Sequence, residues 1–188
     1  MLDLEKKIRR YLIINSNKIL ITLDKEIFAE YEVEYFRLRP KARVFPFRKN
    51  KTKKKELLYS VLSLNDLLPM SSEIYGSLKE KWGDFGVWVA NRYGMADKLI
   101  DNAMIELKVY SQTKAQKDCD NIAGGYKLFG DGFIVKSGMF IDDNYKHINP
   151  LLISLDYDKE NPRMEIRITV TDEKDIYKKV AIHLETWK

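Results

Sequence analysis

Apolar and polar positions alternate most clearly over Arg163–Thr171. Met164, Ile166, Ile168 and Val170 fall on one side, Arg163, Glu165, Arg167 and Thr169 on the other. A period of two predicts a half-buried strand. Ala103–Tyr110 repeats the pattern, with Ala103, Ile105, Leu107 and Val109 inward and Glu106 and Lys108 outward. So do Leu151–Tyr157, through Leu151, Ile153, Leu155 and Tyr157, and Lys18–Leu23, through Ile19, Ile21 and Leu23. Glu30–Leu38, Leu57–Leu64 and Val180–Leu184 read as further strands, and Asp158-Lys-Glu-Asn-Pro as a hairpin turn.

Helical spacing is predicted in three places. Leu4, Ile8 and Leu12 suggest a short helix over residues 2–14. Ser71 or Ser72 is an N-cap for a run through Ile74, Leu78, Trp82, Phe85 and Val89. Gly83, Gly86 and Gly94 weaken that run by about 1 kcal/mol each relative to Ala and predict a bend. Ile122, Tyr126, Phe129 and Phe133 mark a central helix within Asp118–Gly138. Strands and helices in this order predict an α/β (α+β) domain, a mixed β-sheet with packed helices. Residues 56–188 read as the domain proper and residues 1–55 as an N-terminal extension.

Composition narrows the setting. The chain has 188 residues, 45% of them hydrophobic, enough for one core without staples. Cys119 is the only cysteine, so no intrachain disulfide is possible and a reducing, cytoplasmic compartment is expected. There is no apolar run long enough for a membrane span and no secretory pattern at the start.

Charge is informative once located. The chain carries 33 Lys+Arg against 28 Asp+Glu. Ten of those basic residues (Arg37, Arg39, Lys41, Arg43, Arg48, Lys49, Lys51, Lys53, Lys54 and Lys55) lie in one tract without an acidic residue. The remainder is therefore mildly acidic, and a local basic arm points to a polyanion. A nucleic-acid arm, a solvated loop and a membrane-surface patch all fit this composition. Phe36, Phe45 and Phe47 are interleaved with the tract, which suits stacking on unpaired bases or packing on the domain.

The candidate chemistry is acidic. Asp118 and Asp120 stand one residue apart before the central helix, Lys127 lies seven residues after Asp120, Asp131 four further on, and Asp142-Asp143 close the stretch. Clustered carboxylates stay ionised mainly around a cation, and hard oxygen ligands favour magnesium or manganese. The same aspartates also serve as helix-start and turn residues, Asp120 as the N-cap of the helix. His147 and His183 lack zinc spacing, and Cys119, between two acids, is a poor nucleophile. Gly124-Gly125 is no phosphate-binding fingerprint.

The runs D-C-D-N, K-L-F-G-D-G and G-M-F-I-D-D resemble the RusA-type Holliday-junction resolvases common in phages and prophages. The resemblance covers roughly residues 57–171 and is specific from Lys117 to Asp143. It implies a homodimeric, magnesium- or manganese-dependent endodeoxyribonuclease that cuts four-way DNA junctions, with no small-molecule cofactor. By the same resemblance Asp118, Asp120 and Asp143 are metal ligands, with Asp142 in support, and all but Asp142 are catalytic together with Lys127. The helix before Lys127 is about one turn longer than in the shorter cellular pattern, and Gly124 stands where that lysine aligns without a gap. A fold-sharing DNA-binding protein without turnover and a phage assembly protein are the alternative readings.

Overall fold

A computed structural model describes residues 12–15, 17–49, 56–57, 67–114 and 118–187. Strands β1 (Leu12–Asn15) and β2 (Lys18–Leu23) are followed by a short antiparallel ribbon, β3 (Arg48–Lys49) with β4 (Glu56–Leu57). With β5 (Ala103–Ser111), β6 (Ile148–Tyr157) and β7 (Arg163–Val170), β1 and β2 build one mixed sheet in the order β1-β2-β7-β5-β6. Only the β5–β6 pair is parallel. The register aligns the apolar rows: Ile105 faces Ile168 and Leu107 faces Ile166, while Ile21 pairs with Ile166 from the other side. The α+β class follows from this sheet and the helices on it.

Among the described residues four helices accompany the sheet: α1 (Lys25–Leu38), α2 (Ser72–Arg92), α3 (Cys119–Phe129) and α4 (Ile176–Thr186). A π-helical segment, Gly130–Val135, continues α3. Ser71 caps α2 through Ile74 N–H, as the spacing predicts. The core is aromatic: Phe28 and Tyr31 of α1, Phe45 and Phe47 after it, Trp82 and Phe85 of α2, and Phe129 and Phe133 are all buried together. Phe129 and Phe133 stack at 4.8 Å, and Phe47 meets Trp82 edge-on at 4.8 Å. Each such ring removed from water contributes roughly 2–3 kcal/mol.

Several expectations are corrected. Residues 12–15 are a strand paired with β2 rather than the end of a helix; residues 2–11 lie outside the described residues, as do 58–64 of the Leu57–Leu64 prediction. Glu30–Leu38 is the second half of α1, not a strand. Asp24 accepts from the N–H groups of Glu26 and Ile27, and Ile27, Phe28, Tyr31 and Tyr35 form the buried stripe. The cap and first turn lie before Glu30, so β-prone Tyr, Phe and Val set the prediction while the capped, amphipathic helix won. Residues 18–47 are integral to the body: β2 pairs along β7, and Phe28, Phe45 and Phe47 share the core of Trp82 and Phe85. The Asp158–Pro162 turn does not close a hairpin. It carries the chain across the end of β5, with Asp158 N–H donating to Ser111 C=O, so β6 and β7 lie on opposite sides of that strand.

Val180–Leu184 belongs to helix α4, and the reason lies in what it covers. Asp175 caps α4, whose buried residues are Lys179 and His183, one turn apart. They face the polar side of the sheet. His183 lies 3.0 Å from Glu106 through Nε2 and 3.1 Å from Thr169 through Nδ1. Ser154 donates to Glu106 at 2.6 Å, and Lys179 Nζ donates to Asn102 Oδ1 at 2.6 Å and to Asn149 C=O. A polar helix stripe on a polar sheet face leaves no hydrophobic period to read.

These bonds, that of His183 first, hold the Glu106 carboxyl down at about 2, from an ordinary value of 4.5. A folded-state value below the unfolded one means stability present above pH 4.5 and lost as pH falls towards 2. Glu106→Gln is expected to cost about 2 kcal/mol at pH 7 and to flatten the loss of stability between pH 4.5 and 2, read by urea unfolding at each pH.

Candidate functional site

Helix α3 and the segments after it place every acidic residue singled out above. Asp118 is the N-cap residue of α3 but makes no side-chain cap bond; its Oδ2 accepts from Asn121 Nδ2 at 3.4 Å. Asp120, expected as the cap, lies in the first turn, where its Oδ1 accepts from Asn121 N–H at 2.8 Å. Asp118, Cys119 and Asp120 are all exposed.

Eleven residues later the chain reaches the other end. Asp120, Lys127 and Asp131 recur at steps of seven and four, so they share a helix face. Lys127 Nζ lies 3.6 Å from Asp131 Oδ1, and its side chain is 75% exposed. The π-helical segment ends at Val135, and Gly138, at φ +70, turns the chain back so that Phe140 bridges to Ile100. That return delivers Asp142 and Asp143 to the C-terminal end of α3.

The two neighbours have different surroundings. Asp142 holds the turn: its Oδ1 accepts from Asp143 N–H at 2.8 Å and its Oδ2 from Asn144 Nδ2 at 2.6 Å. These bonds keep its carboxyl below the ordinary range. Asp143 is half-buried beside Asp131; burial first, then the charges of Asp131 and Asp142, raise its carboxyl above that range. Tyr75 of α2 borders the same cluster, its phenol raised by burial and by Asp131.

Tyr126 was visible in the sequence only as a core position. Its hydroxyl is buried and has no hydrogen-bond partner among the described residues. Burial, and next to it the charges of Asp143 and Asp131, raise its phenol strongly. An unsatisfied buried hydroxyl costs about 1–3 kcal/mol. The sequence carried no signal for it, because Asp143 comes near enough for its charge to act only after the chain turns back.

Asp118 and Asp120 are not brought to Asp143. At about 1.5 Å per residue, α3 puts Asp120 roughly 16 Å from Asp131 along its axis, and Asp143 lies with Asp131. A single magnesium ion binds oxygen at about 2.1 Å, so within one chain it cannot bridge that separation. Among the described residues no group of three or more His, Cys, Asp or Glu gathers as a metal site. The implied set of Asp118, Asp120 and Asp143 therefore does not fit one ion in one chain. Lys127, Asp131 and Asp143 do come together.

The basic tract separates into parts. Arg37 pairs with Glu34 at 2.6 Å in the last turn of α1, and Arg39 pairs with Asp84 of α2 at 2.6 Å. Lys41 and Arg43 are exposed. Arg48 and Lys49 form β3, and Lys51, Lys53, Lys54 and Lys55 lie outside the described residues. Phe45 and Phe47 are each 1% exposed, so they pack on the domain and are closed to stacking with bases. The histidines hold structure: His147 lies 2.6 Å from Asp101, and His183 is in the α4 network.

No protein-family model matches the chain, and no curated protein matches it either. Among the described residues no helix is long and apolar enough to cross a membrane.

Proposed function

We propose that the chain is a cytoplasmic endodeoxyribonuclease of branched DNA, acting as a homodimer on four-way junctions. The observation that carries this reading is the return of Asp143 to Lys127 and Asp131 at one end of α3. An exposed ammonium beside a carboxyl pair is a small set suited to phosphodiester hydrolysis. Lys127 reaches outward to the scissile phosphate and offsets the charge that builds on its oxygens. The carboxyl pair accepts hydrogen bonds from the attacking water and orients it. No step is assigned to a metal held by Asp118, Asp120 and Asp143, because those residues do not meet.

Of the basic tract, Lys41 and Arg43 are exposed and have no acidic partner in the ion pairs of the described residues, so they are open to DNA phosphates. Arg37 and Arg39 are engaged by Glu34 and Asp84. Incubation of the full chain with a labelled synthetic four-way junction and magnesium or manganese tests the proposal. Paired, symmetric nicks are expected. Junction binding that is independent of metal and never leads to a nick overturns it, and favours a DNA-binding protein without turnover. The distance between Asp120 and Asp143 is the observation on the side of that second reading.

A further inference from the structure

A cavity of about 400 Å³ opens where β2 begins, β7 ends and the chain enters β5. Ile19, Met95, Ile100 and Val170 make its aliphatic floor. Lys98, Leu99 and Asp101 line it as well and are exposed, so they form the rim. Leu99 is held there at a cost. Its backbone is left-handed, at φ +48, between Asp97 at +58 and Asn102 at +50. A bulky side chain rarely adopts that region. The side chain gains little burial in exchange, since it is 55% exposed. An apolar body lying against Leu99 would supply that burial, and strain kept at a cavity mouth points to a ligand.

The chemistry of the lining narrows what enters. The floor takes an apolar face. Lys98 has no acidic partner in the ion pairs of the described residues and takes an anionic group. Asp101, its Oδ1 fixed 2.6 Å from His147 Nδ1, takes hydrogen-bond donors. A fatty acid brings no donor for Asp101, and an alkyl amine brings no anion for Lys98. A nucleotide brings all three: apolar base faces, amino or hydroxyl donors, and a phosphate. The volume lies within the range of small-ligand sites, about 300–1,000 Å³.

We propose that this cavity binds one nucleotide, with the base against Leu99 and the floor, a base or sugar donor on Asp101, and the phosphate at Lys98. A free mononucleotide and a nucleotide turned out of a DNA strand offer the same chemistry. The cavity wall is bonded to the strap that leads to Asp142 and Asp143. Leu99 N–H donates to Gly138 C=O, Ile100 N–H to Met139 C=O, and Ile141 N–H to Ile100 C=O. For a strand nucleotide the site deepens the nuclease reading and rests on it; binding of the free nucleotide does not.

The full chain is titrated with two probes, 2-aminopurine deoxyriboside 5′-monophosphate and a single-stranded oligonucleotide with one internal 2-aminopurine. Equilibrium dialysis should show one mononucleotide per chain. Leu99→Gly and Lys98→Glu should each weaken that binding by about tenfold or more. Leu99→Gly should keep or raise the melting temperature, because glycine adopts a positive φ freely, so loss of the site is separated from loss of the fold. Lys127→Ala should bind as the parent does. No aromatic ring is among the described residues of the lining, so a 2-aminopurine drawn from its stacked strand should brighten. Brightening assigns the site to DNA, and mononucleotide binding with a dark strand assigns it to the free nucleotide. Failure of the folded parent to bind either probe, or binding unmoved in both Leu99→Gly and Lys98→Glu, overturns the proposal. A chain that nicks junctions and binds neither probe would sink this inference alone. One that binds through the cavity and never nicks would sink only the nuclease reading.

Discussion

Junction cleavage by Lys127→Ala is expected to fall by about two orders of magnitude or more, with the melting temperature nearly unchanged. A charge-stabilising donor aimed at a developing oxyanion typically contributes about 10²–10³ in turnover. The lysine side chain is 75% exposed and its ion pair with Asp131 sits at the surface, where such pairs contribute little to folding. Chemistry and stability therefore separate at this residue. Single-turnover cleavage with junction in excess of its dissociation constant reads the effect. A Lys127→Ala chain that cuts at the parent rate would show that the ammonium takes no part. Lys127→Arg should recover only a fraction, because a planar fork does not replace a compact point charge.

The largest structural effect is expected at Gly86 and Gly132. These glycines let α2 and the π-helical segment touch through their backbones. A Cβ at Gly86 would stand 2.6 Å from Phe133 C=O oxygen, and one at Gly132 would stand 2.7 Å from Lys79 C=O oxygen and 2.8 Å from Trp82 Cβ. Backbone atoms do not yield as a flexible side chain does, so the two elements must part. That opens the contacts of Trp82 with Phe129 and of Phe85 with Phe133. Gly86→Ala and Gly132→Ala are each expected to destabilise by about 3 kcal/mol, or roughly 6–12 °C in melting temperature. Gly76→Ala is the control of opposite sign. Nothing lies within 4 Å of its added Cβ, so removing a flexible residue from α2 should stabilise by up to about 1 kcal/mol. Thermal melts of the three variants check the set, and equal shifts for all three would refute the backbone-contact account. The glycines read as helix weaknesses in the sequence are thus, in Gly86, a packing device along a continuous helix. Gly94, at φ +66, follows its end.

Much of the site was legible one residue at a time, and its grouping was not. Lys127 and Asp131 could be paired from the sequence because four residues make one helical turn. Asp118 and Asp120 could be placed at a helix start for the same kind of local reason. Their meeting with Asp143 depended on which end of α3 the returning chain would touch. That depends on Gly138, on the Ile100–Phe140 bridge and on the crossing of α2 over the π-helical segment, all of them long-range. Asp142 and Asp143 are adjacent and chemically identical in the sequence. Only the fold gives one of them the turn and the other the half-buried contact with Asp131.

By itself the sequence determined the elements whose stabilisation is local or one-sided. The alternating rows of β2, β5 and β7 could hide only as strands, and Ser71 with the stripe from Ile74 to Val89 could only be helix α2. The tertiary structure decided the rest. It buried Phe45 and Phe47 in the core instead of leaving them for bases, ran β6 to β7 across the end of β5, and made a helix of residues 176–186 over a polar face. It also left Asp118 and Asp120 about three turns of helix away from Asp143. In each case the deciding partner is distant in the chain, and burial against a distant partner leaves no period in the sequence.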